Sequence, residues 1–160
     1  MRRVQGSPDV RLLECTSPAR GKWRVRWDVQ EHEDGTADYM EMEFEHKPTE
    51  KEIRETITSY INGQTDAAIL HGFAWKGQAV YLSTENQLNF AAIERNGSIS
   101  YPLTVKINET EQGEPEYATF ACERDFAAFS QAASLYIIET VQNGWRRKDT
   151  LKMEDYKMDS

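Results

Sequence analysis

The chain has 160 residues, 39% hydrophobic and 29% charged, with 27 acids against 19 Lys and Arg and a net charge of −8. This is the profile of a globular, water-soluble chain long enough for one domain with a proper core, or for two small units sharing one. No apolar run approaches the length of a bilayer span, and the net field has the wrong sign for chain-wide attraction to nucleic-acid phosphates.

The charge is unevenly spread. Residues 1–27 hold seven Lys and Arg against two acids, and residues 28–55 hold eleven acids against three bases. A local basic patch near either terminus stays open. The start, MRRVQGSPDVRLLE, lacks the continuous apolar region of a secretory signal, so the expectation is synthesis as a cytoplasmic protein. Residues 1–9 read as a loose lead-in, and Val10 to Thr16 as a short strand broken by Ser17-Pro18.

Lys22 to Gln30 shows the cleanest periodicity. Trp23, Val25, Trp27 and Val29 alternate with Lys22, Arg24, Arg26, Asp28 and Gln30, which predicts a half-buried strand. After Asp34-Gly35 the pattern returns as Met40, Met42 and Phe44 between Glu41, Glu43 and Glu45. A two-residue turn at Asp34-Gly35 pairs Val29 with Met40, Trp27 with Met42 and Val25 with Phe44. The other face then pairs Arg26 with Glu43 and Arg24 with Glu45, leaving Asp28 opposite Glu41 as the one unfavourable pair. That charged ladder reads as a solvated sheet face, with a cation site at Glu41, Glu43 and Glu45 as the competing reading.

Pro48 ends the hairpin. Thr49 and Glu52 have capping-box spacing, and Ile53, Ile57, Tyr60 and Ile61 form one apolar stripe of a helix that Gly63 is expected to interrupt. The stretch ILHGFAWKGQAVYLSTENQLNF predicts a tight hairpin at Lys76-Gly77, pairing Phe73 with Val80, Ala74 with Ala79 and Trp75 with Gln78. A helix follows from about Thr84 to Arg95, capped by Ser83 or Thr84, with Leu88, Ala91, Ala92 and Ile93 inward. Ser98 to Ile107 and Tyr117 to Cys122 read as a further pair of strands, Pro102 marking an edge or a beginning. The longest helix is expected over Asp125–Asn143, with Phe126, Phe129, Ala133, Tyr136, Ile137 and Val141 inward and Asn143-Gly144 as its stop. The expected class is α+β: antiparallel hairpins packed with about three helices, in the order hairpin, helix, hairpin, helix, hairpin, long C-terminal helix. The expected organisation is one compact domain over 1–145, comprising the 22–46 hairpin and a 65–145 part, followed by a polar tail over 146–160.

Chemistry is sparse in the sequence. His32, His46 and His71 have no neighbouring Cys or His at ligand spacing, so no metal is expected. Cys15 and Cys122 read as two reduced thiols packed as small apolar residues, their redox state open. No serine sits in a nucleophile-elbow setting and the glycines form no phosphate loop, so no catalytic residue and no cofactor are expected. The aromatics Trp23, Trp27, Phe73, Trp75, Tyr81 and Tyr101 read as core before stacking platform. Trp145, followed by Arg146 and Arg147, has the best claim to a protein interface, although packing back on the long helix is the more common fate of such a residue; Tyr156 lies in the tail. Leu151, Met153, Tyr156 and Met158 have no regular period, and the tail is expected either frayed, locally packed or ordered by contact.

The segments GFAWKGQAVYLSTENQLNFAA, YPLTVKI, EYATFACERDFAAFSQAASLYI and NGWRRKD, covering about Thr65 to Asp149, resemble a group of uncharacterised phage and prophage proteins of gut Bacteroidales. More distantly they resemble a small domain of unknown function found in phage tail-region proteins. The shared features are the Gly-aromatic hairpin, the polar-capped helix with Gln87 and Asn89, and a final helix with aromatic spacing. The resemblance implies a virion- or tail-associated role and carries over no catalytic residue. The expectation is a non-enzymatic structural or assembly protein, virion-associated after synthesis, that contacts a protein partner or itself and neither nucleic acid nor membrane. An adaptor or inhibitor domain that binds a host or phage protein is the alternative, and a small enzyme without recognisable motif the third.

Overall fold

The computed structural model describes residues 1–157. The protein is α+β, with antiparallel sheets and, among the described residues, three α-helices, and divides into two compact units: Met1–Tyr60 with the segment from Asp149, and Ile61–Lys148. The boundary expected at 145/146 falls inside a helix.

The first unit is built on a four-stranded sheet of β1 (Arg2–Gly6), β2 (Leu13–Ser17), β3 (Lys22–Glu31) and β4 (Ala37–Phe44), in the order β1-β4-β3-β2. The strand β1 replaces the expected loose lead-in. Its sequence, RRVQG, has one apolar residue and so no alternation to read, yet it zips along β4 from Arg2 opposite Glu41 to Gly6 opposite Ala37.

The central hairpin forms, in a register two residues from the expected one. Trp27 pairs with Met40, Val25 with Met42, Trp23 with Phe44, Arg24 with Glu43 and Arg26 with Glu41. A shift of two keeps every side chain on its face, so Trp27 is buried as expected. One residue of the displacement comes from a bulge between Trp27 and Gln30, where Asp28 takes a positive φ of 54°, and the other from the turn. The Asp28 carboxylate accepts from the Tyr60 hydroxyl at 2.9 Å and pairs with Arg3 of β1. The turn is also longer than two residues: His32 N donates to Thr36 O and Gly35 N to His32 O.

The charged ladder is only half solvated. Arg26 and Glu41 are buried, at 6% and 5% exposure, while Lys22 and Glu43 remain near the surface. Arg26 reaches Glu14 Oε2 and the Arg11 carbonyl, each at 2.8 Å, and Glu41 receives Arg2 from β1 at 2.7 Å. The expected solvation therefore fails where the edge strands and their flanks cover the ladder.

Thr49 and Glu52 make the predicted capping box, with Glu52 N to Thr49 Oγ1 at 3.2 Å and Thr49 N to Glu52 Oε2 at 2.7 Å. They open α1 (Glu50–His71), which runs unbroken through Gly63. An interior glycine costs only about 1 kcal/mol, too little to stop a helix held by its apolar stripe. Ile53 and Ile57 of that stripe are buried, and Tyr60 meets Trp27 edge-on at 5.8 Å. The segment after Asp149 closes the unit with a 3-10 turn, Met153–Tyr156, both of whose end residues are buried.

The second unit takes α1 from Ile61 onward, the hairpin β5 (Phe73–Trp75)–β6 (Gln78–Val80), α2 (Thr84–Arg95), the hairpin β7 (Leu103–Glu109)–β8 (Pro115–Phe120) and α3 (Glu123–Asp149) up to Lys148. The β5–β6 register is the predicted one, and both turn residues have positive φ, 47° at Lys76 and 81° at Gly77. At Gly72 an added Cβ would strike Tyr136 Oη and the Ala68 carbonyl, which the Tyr136 hydroxyl bonds at 2.6 Å; only glycine admits that approach.

The core is aromatic. Phe129 lies within 5.0–6.3 Å, centroid to centroid, of Phe73, Trp75, Phe90, Phe120 and Phe126. This cluster sets the phase of α2: Phe90 is buried, whereas Leu88, expected inward, is exposed at 67%. The ring of Phe90 meets two aromatic partners at that position, a gain Leu88 lacks. The α2 cap is Ser83, whose Oγ accepts from Asn86 N.

Candidate functional site

The expected stop at Asn143-Gly144 is overridden. Gly144 is buried, and a Cβ there would sit 2.6 Å from Thr65 Oγ1 of α1, so the glycine serves a close helix–helix approach. Beyond it, Arg147 bonds Gln64 Oε1 at 2.6 Å and Lys148 bonds Asn62 Oδ1 at 3.0 Å, which carries α3 on to Asp149.

The four residues singled out in the sequence separate accordingly. Trp145 is exposed at 57% and Arg146 is exposed, both in the second unit. Arg147 is half-buried against α1. Tyr156 belongs to the first unit and is 5% exposed, its hydroxyl donating to the Arg26 carbonyl at 3.0 Å. Burial pushes its phenol pKa well up, with Asp155 adding to the effect. Tyr156 is thus a packing residue, because its ring fills the first unit instead of facing solvent. Met158 lies outside the described residues.

What the extended α3 exposes is a continuous surface. Its inward face buries Phe126, Phe129, Ser130 and Ala133, and the opposite face carries Leu135 and Ile138, exposed at 56% and 53%, in line with Trp145. The outward positions Ala128, Gln131, Leu135, Ile138, Gln142 and Trp145 are all exposed and none is charged. In a protein with 29% charged residues, such a strip on solvent is unusual. Sequence reading passed over it because placing the helix end at Gly144 removed Trp145 from the pattern. The spacing of Leu135, Ile138 and Trp145 was the available signal.

A groove of about 970 Å³ runs along α2 and β7 of the second unit. Its rim pairs the rings of His71 and Tyr81, 5.6 Å apart. Asn86 donates to the Tyr81 carbonyl and Asn108 to Glu116, each at 2.8 Å, while Lys106 is paired with Glu109. Ser83, its one serine, is committed to the helix cap, and His71 faces an aromatic ring. The groove therefore offers hydrogen-bonding surface beside the His71–Tyr81 ring pair.

Among the described residues, no group of three or more His, Cys, Asp or Glu is placed to hold a metal ion. His32 meets Asp38 at 3.1 Å and His46 meets Glu52 at 2.9 Å, and each carboxylate has a further partner, Arg3 for Asp38 and Thr49 for Glu52. Both cysteines are free thiols; Cys122 is exposed, not packed as expected, because it lies in the turn entering α3. Of the aromatics expected in the core, Trp27 and Phe73 are buried, Trp23, Trp75 and Tyr101 are half-buried, and Tyr81 is 38% exposed on the groove. No helix among the described residues is long and apolar enough to cross a membrane. Compared with protein-family models, curated proteins and solved structures, the chain matches none.

Proposed function

We propose that this chain is a non-enzymatic protein of phage or prophage origin with a structural or assembly role at the virion or its tail, exercised through protein contacts. The observation that carries the reading is the outward face of α3, where three large apolar side chains stay more than half exposed along an uncharged strip. Leaving such a strip wet forgoes burial worth about 1 kcal/mol per half-exposed large side chain, a cost that a partner surface would offset. The resemblance of 65–149 to phage and prophage proteins supplies the setting. Trp145 and Arg146, at the end of the strip, are the residue types that most often anchor interfaces.

The test is recovery of the tagged full chain from cells producing the particles, beside a Leu135→Glu variant. A phage-encoded structural protein, or purified particles, should retain the wild-type chain stoichiometrically and lose the variant. Equal retention of both would remove α3 from the account. A host protein as the stoichiometric partner would replace the assembly role by that of an adaptor or inhibitor.

A further inference from the structure

Resting on that reading of α3 as a contact surface, we infer that its partner is a second copy of this chain, docked antiparallel through α3 in one defined register. The outward residues Ala128, Gln131, Leu135, Ile138, Gln142 and Trp145 are spaced 3, 4, 3, 4, 3, which is the a/d repeat of a coiled-coil seam sustained over about 27 Å of helix. A globular helix needs one apolar stripe, and α3 spends that stripe on Phe126, Phe129 and Ala133. The seam is a second stripe on the other side.

The side chains select orientation and register. Antiparallel pairing about a two-fold axis between residues 136 and 137 brings Leu135 against Ile138 of the second copy, Gln131 against Gln142, and Ala128 against Trp145. The smallest seam residue then faces the largest, and the two glutamines can satisfy each other, a polar layer of the kind that fixes register. On the flank, Asp125 and Arg146 both occupy the position that meets its own kind across an antiparallel pair, so Asp125 of each copy faces Arg146 of the other. Both are exposed, and neither has an ion pair within the chain among the described residues. Sliding the copies by one heptad would instead set Glu139 against Glu139, which disfavours that register. A parallel pair would leave Asp125 and Arg146 at opposite ends of the seam.

The test is sedimentation equilibrium of the full chain from 5 to 500 µM, alongside Arg146→Glu, Asp125→Arg, the double swap and Leu135→Glu. The wild type should dimerise reversibly, and each single reversal should weaken the dimer roughly tenfold, since two symmetric pairs turn repulsive together. The double swap should restore it, and Leu135→Glu should abolish it. Arg146→Glu lowers the net charge by two and Asp125→Arg raises it by two, so general repulsion predicts opposite effects where local pairing predicts the same loss. Should Asp125→Arg disturb the first turn of α3, Asp125→Lys with Arg146→Asp repeats the swap, with circular dichroism checking the fold. A wild type that stays monomeric at 500 µM would overturn the homotypic inference, while particle recovery judges the contact reading separately. A dimer that the double swap fails to restore would overturn the antiparallel register.

Discussion

Replacing Phe129 by alanine removes a ring that is fully buried and has five aromatic neighbours, from Phe90 at 5.0 Å to Phe73 at 6.3 Å. Truncating a buried Phe costs about 3–5 kcal/mol through lost transfer energy and the cavity left behind. Each well-oriented aromatic pair adds about 0.5–1.5 kcal/mol beyond its buried area, and the near-perpendicular contacts to Phe90 and Trp75 have that geometry. Because Phe73, Phe90, Phe120 and Phe126 are held by separate elements, they cannot all relax into the hole. The expected loss is therefore about 5 kcal/mol, a large share of the about 5–15 kcal/mol that a domain has. Urea unfolding followed by circular dichroism measures it, with Leu88→Ala, at 67% exposure and outside the α3 strip, as the control expected within about 0.5 kcal/mol. A Phe129→Ala loss under about 2 kcal/mol would show that the aromatic cluster is not the centre of the second unit.

Gly144→Ala should destabilise the chain through its collision with Thr65 Oγ1; in a Thr65→Ala background the same change should stabilise by up to about 1 kcal/mol, as an interior glycine-to-alanine helix substitution does. Thermal unfolding of the two pairs checks this, and equal effects in both backgrounds would refute the close approach. Glu41→Ala should cost about 2–4 kcal/mol in urea, toward the low end for breaking a buried ion pair because Arg26 keeps Glu14 at 2.8 Å. Glu52 is held at a pKa of about 2 against its ordinary 4.5, chiefly by the Thr49 backbone N–H, then by the Thr49 hydroxyl and His46. Its folded value lies below the unfolded one, so its contribution is full above about pH 4.5 and is lost as pH falls toward 2. Glu52→Gln should accordingly flatten the pH dependence of the melting temperature across that window, and an unchanged slope would mean the cap is not formed in solution.

The α+β class and the β5–β6 register were legible because Lys76-Gly77 and the flanking alternation specify one hairpin. The Thr49–Glu52 box was legible because its chemistry is local. What local pattern could not show was where tertiary contact reverses a local signal. Gly63 and Gly144 both read as breaks, and both lie inside helices. At Gly144 the signal was a packing requirement that resembled a stop. The bulge at Asp28 and the longer turn each moved the β3–β4 pairing by one residue, a combined change of two that leaves the inward face intact and so left no mark on the hydrophobic pattern. The strand β1 escaped because its register comes from β4 and its ion pairs, Arg2 with Glu41 and Arg3 with Asp38. Trp145 read as the start of a tail, with packing back on the helix as its more common fate; it is exposed instead, and only the continuation of α3 joins it to Leu135 and Ile138. Tyr156 showed no period because a short 3-10 turn buries it, and such turns have no long repeat to read.

The measurement closest to the central claim is a dilution series of the full chain by amide NMR, from about 500 µM to about 10 µM. If α3 presents a protein-contact surface that pairs with a second copy, the shifts that move should belong to Ala128, Gln131, Leu135, Ile138, Gln142 and Trp145, while those of the inward residues Phe126, Phe129 and Ala133 stay nearly still. Spectra that do not change with concentration, or that change along the His71–Tyr81 groove instead of α3, would contradict it.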